Sequence, residues 1–471
     1  MQTECTSEQM EFQGVERRVV KAEFDGGHIT SDAGVLALRE VDKKFALCRR
    51  FAEGFTDHRN ADLIEHSVRE LVSSRVMAMA LGYEDLNDHD DLARDPLLAM
   101  AAGKVDVEGK NRKRQRDRGR PLASKSTLNR LELTPSQLDP HNRYWKIVHS
   151  PKRLEDFFVT VFLESFKQPP KEIILDFDAT DDPLHGEQEG RFFHGYYKNY
   201  CYLPLYVFCQ DRLLVAKLRT SDSDAGSGAV KELARLVRRI RKKWLHVRIV
   251  VRADSGFTRE NLMKWCEKHK VYYLLGLAKN QRLMKKLGKE LAQAKELYEQ
   301  TGHAARVFTQ FSHSTRKSWS RIRRVIGKAE YLAKGPNPRF IVTNLPEAYA
   351  EPRELYEKVY CQRGDMENRI KEQQLDLFAD RTSTRAMRSN QLRLWFSSLA
   401  YVLVSTLRRV GLKGTRLAKA TCGTIRVKLF KIGALIKISV RRIMVHLASA
   451  CPYQDVFRQL WRNLQAYPLR L

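Results

Sequence analysis

Two short stretches of the chain, Asp176-Phe-Asp-Ala-Thr-Asp-Asp182 and Arg252-Ala-Asp254-Ser-Gly-Phe257, put carboxylates at the end of an apolar run. Ile173, Ile174 and Leu175 lead into the first, and Val247, Ile249, Val250 and Val251 into the second. Runs of this kind read as strands buried on both faces, set side by side in one sheet. Acids at adjacent strand ends can share a pair of divalent metal ions, a means of doing chemistry at phosphate. Asp176 and Asp178 point to the same face of their strand, so either can be the first acid. Asp254 is the acid of the second strand, with Ser255-Gly256 providing the turn after it. Asp181 and Asp182 lie past the strand and are expected to cap or orient.

A third acid sits on a helix predicted over about 352–374. Tyr360, Arg363, Glu367 and Lys371 fall at offsets that, at about 100° per residue, form one polar face. Leu355, Val359, Met366 and Ile370 form a separate face that should anchor the helix on the core. Taken alone, this is equally a surface helix with ion pairs four residues apart.

The elements that must position these acids follow from periodicity. Residues from about 33 to 165 repeat apolar positions every three to four residues, as helices do. They are interrupted by the run Gly109-Lys-Asn-Arg-Lys-Arg-Gln-Arg-Asp-Arg-Gly-Arg120, read as a mobile loop in which Arg112, Lys113 and Arg114 are candidate contacts to a polyanion or plain solvated charge. Ser124 and Ser126, followed by Leu128 and Leu131, open a candidate recognition helix. From about 172 the pattern becomes strand 172–180, strand 201–209, strand 212–219, helix 228–243, strand 247–253, helix 258–269 and strand 271–277. Three strands, helix, strand, helix, strand is the order of a ribonuclease H-like core, an α/β fold with a mixed sheet flanked by helices. A β-rich insertion at about 279–345 carries strands 322–331 and 339–344 and delays the helix of Glu367. It also holds Trp319 among basic residues, where packing competes with stacking on a base. His185 and His194 flank the first two strands, where a lone histidine is usually structural. After Arg408 the tail is basic, and Arg426–Ile432 and Ile436–Val445 alternate in part as strands do. Three regions are expected: a mainly helical 1–165 holding the candidate polyanion contacts, an α/β core 166–385 holding the acids, and a basic 386–471.

Composition limits the partners. The 84 Lys and Arg against 56 Asp and Glu give 471 residues a net charge of +28. A pI near 9.8 is the electrostatic footprint of a nucleic-acid binder, shared with ribosomal and membrane-surface proteins. The hydrophobic share of 43% suffices for sizeable cores. Eight scattered cysteines without a C-x-x-C pair argue against zinc ribbons and disulfide frameworks. Met1–Glu8 shows no leader pattern, and the longest apolar run, Leu394–Leu407, is too short to span a bilayer. A cytoplasmic protein is expected.

Together these motifs resemble the DDE transposases of bacterial insertion sequences, especially those whose third acid lies in a Tyr-x2-Arg-x3-Glu-x6-Lys signature. Tyr360, Arg363 and Glu367 match it; Gln374 stands where the lysine belongs, with Lys371 one turn earlier. Asp176-Phe-Asp-Ala-Thr-Asp-Asp-Pro-Leu-His-Gly186, Phe192-Phe-His-Gly-Tyr-Tyr197, Arg252–Phe257, Glu367-Asn-Arg-Ile-Lys-Glu372 and Pro452-Tyr-Gln-Asp-Val-Phe457 are similar to the subgroup named for insertion sequence 1380. The resemblance implies a catalytic triad of Asp178, Asp254 and Glu367, with Asp176 as a further metal ligand. It implies two Mg²⁺ ions, with Mn²⁺ substituting, and cleavage followed by strand transfer. It also implies Tyr360, Arg363 and Lys371 on DNA, terminal inverted repeats and target DNA as double-stranded partners, and a homodimer on paired ends, nucleoid-associated and off the membrane. The competing readings are a ribonuclease H-like nuclease without strand transfer and a DNA-end-binding protein that does not cut.

Overall fold

The apolar runs become strands covered on both sides. The computed structural model describes residues 9–139, 141–142 and 144–468; the leader-free reading of Met1–Glu8 lies outside them. Two compact units make up the chain, Ser150–Ser398 and Met1–His149 together with Leu399–Leu471.

The unit Ser150–Ser398 is built on one sheet. Its strands are β1 (Glu172–Ala179), β2 (Leu205–Cys209), β3 (Arg212–Lys217), β4 (Arg248–Ala253), β5 (Tyr272–Leu277), β6 (Ala305–His313), β7 (Arg323–Leu332) and β8 (Arg339–Thr343). They lie in the order β3-β2-β1-β4-β5-β8-β7-β6, with Gly335–Pro336 pairing on β7. In the first five only β2 runs against its neighbours, and β1, β4 and β5 are parallel. That is the ribonuclease H-like order expected from the sequence.

Alternation along the strands sorts side chains between two layers. Ile173, Leu175 and Phe177 of β1 and Ile249, Val251 and Ala253 of β4 share a core with α1 (Pro151–Glu164), α2 (Ala229–Lys243) and α3 (Glu260–Lys268), through Phe162, Leu233, Leu236, Ile240 and Met263. On the opposite face Val250, Leu274, Ile326 and Ile341 pack against Leu355 and Tyr356. Those two residues belong to a helical run over 352–376, called α5 below, with α4 being Gly288–Thr301. The even-numbered positions of β1 and β4 therefore face α5, and the acids lie among them.

Several elements differ from expectation for local reasons. The predicted strand 201–209 breaks, because Pro204 has no N–H to donate to a ladder; Asn199–Tyr202 joins a small sheet with Asp182–Pro183 and Phe192–His194 instead. The segment 279–345 begins with helices Gln281–Lys286 and Gly288–Thr301 before its strands. In the second of these Ala294 is the buried residue, so the helix leaves almost no apolar stripe to read. Its strands extend the main sheet through the β5–β8 pairing. Residues Cys422–Ile425 and Arg426–Phe430 are helical rather than extended, with the Thr421 side chain capping the Thr424 N–H at 3.2 Å.

In the other unit, Val68–Leu81 is a buried helix opened by a Ser67–Glu70 capping box. A hairpin of Ala434–Ile438 and Ile443–Leu447 pairs with His28–Thr30, so the two ends of the chain share one sheet. No helix among the described residues is long and apolar enough to cross a membrane.

On the α5 face of the sheet, Arg252 lies directly opposite Asp176 and reaches both of its carboxylate oxygens, at 2.8 Å for Nη2 to Oδ2. It also donates to the Val359 carbonyl of α5. The arginine and aspartate side chains are 6% and 4% exposed. Removing one partner strands a buried charge, so Arg252→Met is expected to cost about 3–5 kcal/mol in urea unfolding, more than Arg248→Met on the exposed end of the same strand.

Candidate active site

The sheet register brings the first two acids together. Arg252 pairs with Asp176 and Ala253 with Phe177, so one further residue along each strand sets Asp254 beside Asp178. Asp254 then turns away from the sheet: its Oδ1 accepts the Gly256 N–H at 2.9 Å and caps the short turn Ser255–Phe257. At the end of β5, Gly276 lacks a side chain for a reason. A Cβ there would stand 2.5 Å from the Tyr360 Oη and 3.0 Å from the Ser255 N. The tyrosine hydroxyl of α5 thus rests on the bare backbone beside Asp254.

The run α5 is not a uniform helix. Leu355–Tyr360 is wound as a π-helix, Cys361–Arg363 as a 3-10 turn and Gly364–Lys371 as an α-helix. A π segment beside a functional face is a common device for re-aiming side chains. Here it separates Tyr356, packed in the core, from Arg363 and Glu367. Met366 and Ile370 are buried and hold the turn carrying Glu367 against the unit.

Arg363 joins two of the acids. Its Nη1 stands 3.2 Å from Asp178 Oδ2 and its Nη2 2.5 Å from Glu367 Oε1. Burial pushes the Asp178 carboxyl up to about 7; Arg363 pulls it down, while Asp254 and Glu367 push it further up. Arg363 is itself held more firmly charged by Asp178, Glu367, Tyr360 and Asp254, against the opposing effect of burial. Asp254 and Glu367 thus both act on Asp178, and one guanidinium bridges Asp178 and Glu367. As placed, no three His, Cys, Asp or Glu side chains among the described residues stand together as a metal cage. The donor chemistry nevertheless suits a hard divalent cation, since carboxylate oxygens are its preferred ligands and an acid raised this far lacks compensating positive charge.

The remaining sequence-derived residues divide. Asp176 is not a free ligand, because Arg252 takes both its oxygens. Burial raises its carboxyl while Arg252 pulls it back. Gln374, where the signature has lysine, donates to the buried Asp182 carboxylate at 3.0 Å and to the Asp181 carbonyl at 3.1 Å. Lys371 is exposed on α5. Trp319 is partly buried against the core, with the Arg323 guanidinium 5.3 Å from its ring centre and His313 meeting it edge-on at 5.6 Å, the packing role expected of it. His185 is exposed, and His194 lies 5.0 Å from the Tyr197 ring. Sequence reasoning passed over Arg252, although an arginine inside an apolar strand was a readable signal; its partner Asp176 was not.

The basic run belongs to the other unit and is anchored there rather than loose. Arg112 pairs with Glu65 at 3.1 Å and reaches the His66 Nε2 at 2.5 Å, a histidine that burial and neighbouring cations drop to about 3. The Lys113 N–H donates to Glu65 at 2.9 Å, and its ammonium to the Asp62 carbonyl. Arg114 and Arg116 remain exposed around the short turn Gln115–Asp117.

The chain matches the family described as Transposase DDE domain group 1 over residues 12–469. No curated protein matches it. Among solved structures, one titled piggyBac transposase synaptic complex with hairpin DNA aligns at 12% identity and a TM-score of 0.39, covering 94% of this chain and 83% of that one.

Two outcomes follow. Because the Asp178 carboxyl is raised in the folded protein from 3.8 to about 7, its contribution to stability is present below the lower value and lost as pH climbs through the higher one. In chelator, Asp178→Asn should therefore gain in Tm relative to the parent as pH goes from 5 to 8, a gap read by paired thermal melts. Tested against duplex DNA, Arg114→Ala with Arg116→Ala is expected to flatten the log K against log salt slope by about 2, the outcome if each of these exposed arginines neutralises one phosphate. Arg112→Ala should leave the slope unchanged and lower stability instead.

Proposed function

The chain belongs to the family of transposase DDE domains, group 1, and on that premise we propose that it binds the terminal inverted repeats of its own mobile element and cuts and joins DNA there. The observation that supports this most is Arg363 held between Asp178 and Glu367, with Asp254 raising the Asp178 carboxyl alongside Glu367. Half-buried acids, two of them held by a single cation, are suited to exchanging that cation for a bound metal.

Asp178, Asp254 and Glu367 would hold divalent metal, Mg²⁺ with Mn²⁺ as a substitute. The bound metal would make a water or a DNA 3′-hydroxyl a better nucleophile and offset charge on the leaving oxygen. The protein's own groups do the rest. Arg363 leaves the carboxylates and turns to a neighbouring phosphate, for which its planar guanidinium is suited. Glu367, 44% exposed and on the rim, is the acid with most freedom to adjust. Tyr360, half-buried with its hydroxyl against Gly276, positions the Asp254 turn and packs beside the DNA backbone. Lys371 adds an exposed cation one turn beyond Glu367. The same set of acids can serve hydrolysis at a transposon end and attack of the freed 3′-hydroxyl on a target. Paired ends call for two copies of the chain.

A nuclease without strand transfer would use the same acids, so products decide between the two. Incubated with duplexes carrying the element's end and Mg²⁺, the protein should yield both cut ends and joined molecules; cut ends without joining would favour the nuclease. Asp254→Asn and Glu367→Gln should each keep end binding in gel shifts within about threefold, while end cleavage falls by on the order of 10³-fold. Cleavage at the parent rate in either variant would overturn the assignment.

A further inference from the structure

Shortly past Asp178 the chain buries a carboxyl that almost nothing holds. Asp182 lies just beyond the end of β1 and pairs with Tyr202 in the small sheet. It is fully buried. Its Oδ1 accepts the Gln374 amide at 3.0 Å, while its Oδ2 meets no donor among the described residues. The titratable and charged groups that face it are Asp181 next to it, Cys201 on the paired strand, Tyr206 on β2 and Asp380 beyond the end of α5. Both charged neighbours are acids, and no cation is among them. Tyr206 is 0% exposed, and its hydroxyl is likewise without a partner among the described residues. In the ladder Tyr206 stands opposite Asp178, so the two side chains lie on the α5 face of the sheet.

A carboxylate with one hydrogen bond and no cation is unstable at this depth, and a proton removes the charge. Burial pushes the Asp182 carboxyl well above the usual carboxylate range; the Gln374 amide pulls it back, while Asp380 and Asp181 push it further up. The neutral form is also the one that Gln374 suits, since an amide donates a hydrogen bond without bringing a charge. The contact reaches the site through the backbone. Gln374 lies about two turns past Glu367 on α5, and it also donates to the Asp181 carbonyl at 3.1 Å. The helical run of the third acid is thus pinned to the segment of chain that leaves the first.

We propose that Asp182 is a positioning residue that works as a neutral acid: protonated, it lets Gln374 pin α5 to the segment after Asp178, and deprotonation loosens the pin and slows DNA cleavage. Its buried side chain touches no reacting group and acts through the distance between Glu367 and Asp178. When the proton leaves to solvent, a buried anion faces Asp181 and Asp380 with no cation to offset it. Linkage gives the sign. Because the carboxyl is raised on folding, its contribution to stability is present at low pH and lost as pH climbs through the folded value. The inference rests on the reading of Asp178, Asp254 and Glu367 as the DNA-cutting site.

The test follows cleavage of a duplex carrying the element's end, in Mg²⁺, from about pH 6 to about pH 9, in the parent and in Asp182→Asn, which keeps the shape of the acid and cannot ionise. The ratio of variant to parent rate should climb with pH, by up to about tenfold per unit above the folded value. Gln374→Met, which keeps the bulk and deletes the pin, should bind the duplex and cut it several-fold more slowly than the parent at the low end of the series. Folding is read separately. Asp178 also titrates in this range, so melts in chelator compare Asp178→Asn with Asp178→Asn plus Asp182→Asn, and the double variant should gain in Tm as pH rises. A rate ratio that stays constant with pH, as a merely structural Asp182 would give, overturns the proposal while the active-site reading stands. So does a Tm gap that ignores pH, or a Gln374→Met variant that cuts at the parent rate. If the parent binds the duplex and cuts it at no pH, the reading of the acids fails and the positioning role falls with it.

Discussion

The Ser150–Ser398 unit depends on a buried arginine. Arg252 sits in the middle of an apolar strand, binds both oxygens of Asp176 on the neighbouring strand and reaches the Val359 carbonyl on α5. A buried guanidinium is costly unless nearly all its donors are satisfied, and here the sheet and the helix both contribute acceptors. The consequence is geometric. Strand β1, strand β4 and the helix with the third acid are tied at one point, two residues before Asp178 and Asp254, so the three carboxylates cannot drift apart independently.

Two arginines on this face do different work. Arg252 is almost wholly buried and neutralises an acid that lies too deep for anything else to reach. Arg363 is half-buried, near the rim, and compensates acids that water and other ions can reach. The difference follows from depth: at depth a charge pair is permanent because separating it leaves an unsolvated ion, whereas near the surface water and phosphate can take over each partner. Burial, with Asp254 and Glu367 nearby, pushes Asp178 up to about 7 in spite of the guanidinium.

The π-wound start of α5 is the second constraint. It lets Leu355 and Tyr356 fill the core while Tyr360 rests on Gly276 and Arg363 faces the acids. A regular helix would keep the spacing that a polar stripe at 100° per residue describes, yet the real path mixes wider and tighter turns. Gly276 complements it, since any side chain there would collide with the tyrosine hydroxyl. Farther along, Gln374 is tied to buried Asp182, which gives the position occupied by lysine in the signature a local structural task in this chain.

Much of the core was legible before any coordinates. The strands around 176 and 254 announced themselves as continuous apolar runs, because burial on both faces leaves no polar positions to interrupt them. Their order with the helices limited the fold to a mixed sheet, and the acids at their ends were the candidates for chemistry. What stayed hidden depends on contacts between residues far apart in sequence. Asp176 and Asp178 are equivalent by alternation, and only the register opposite Arg252 commits the first to an ion pair. Arg112 and Arg114 read alike within one basic run, and only the position of Glu65 and His66 occupies one and leaves the other exposed. Local sequence sets which residues seek burial and in what rhythm; which charge meets which is settled by how the strands and helices align in space, since electrostatic pairing depends on distance and depth rather than on order along the chain.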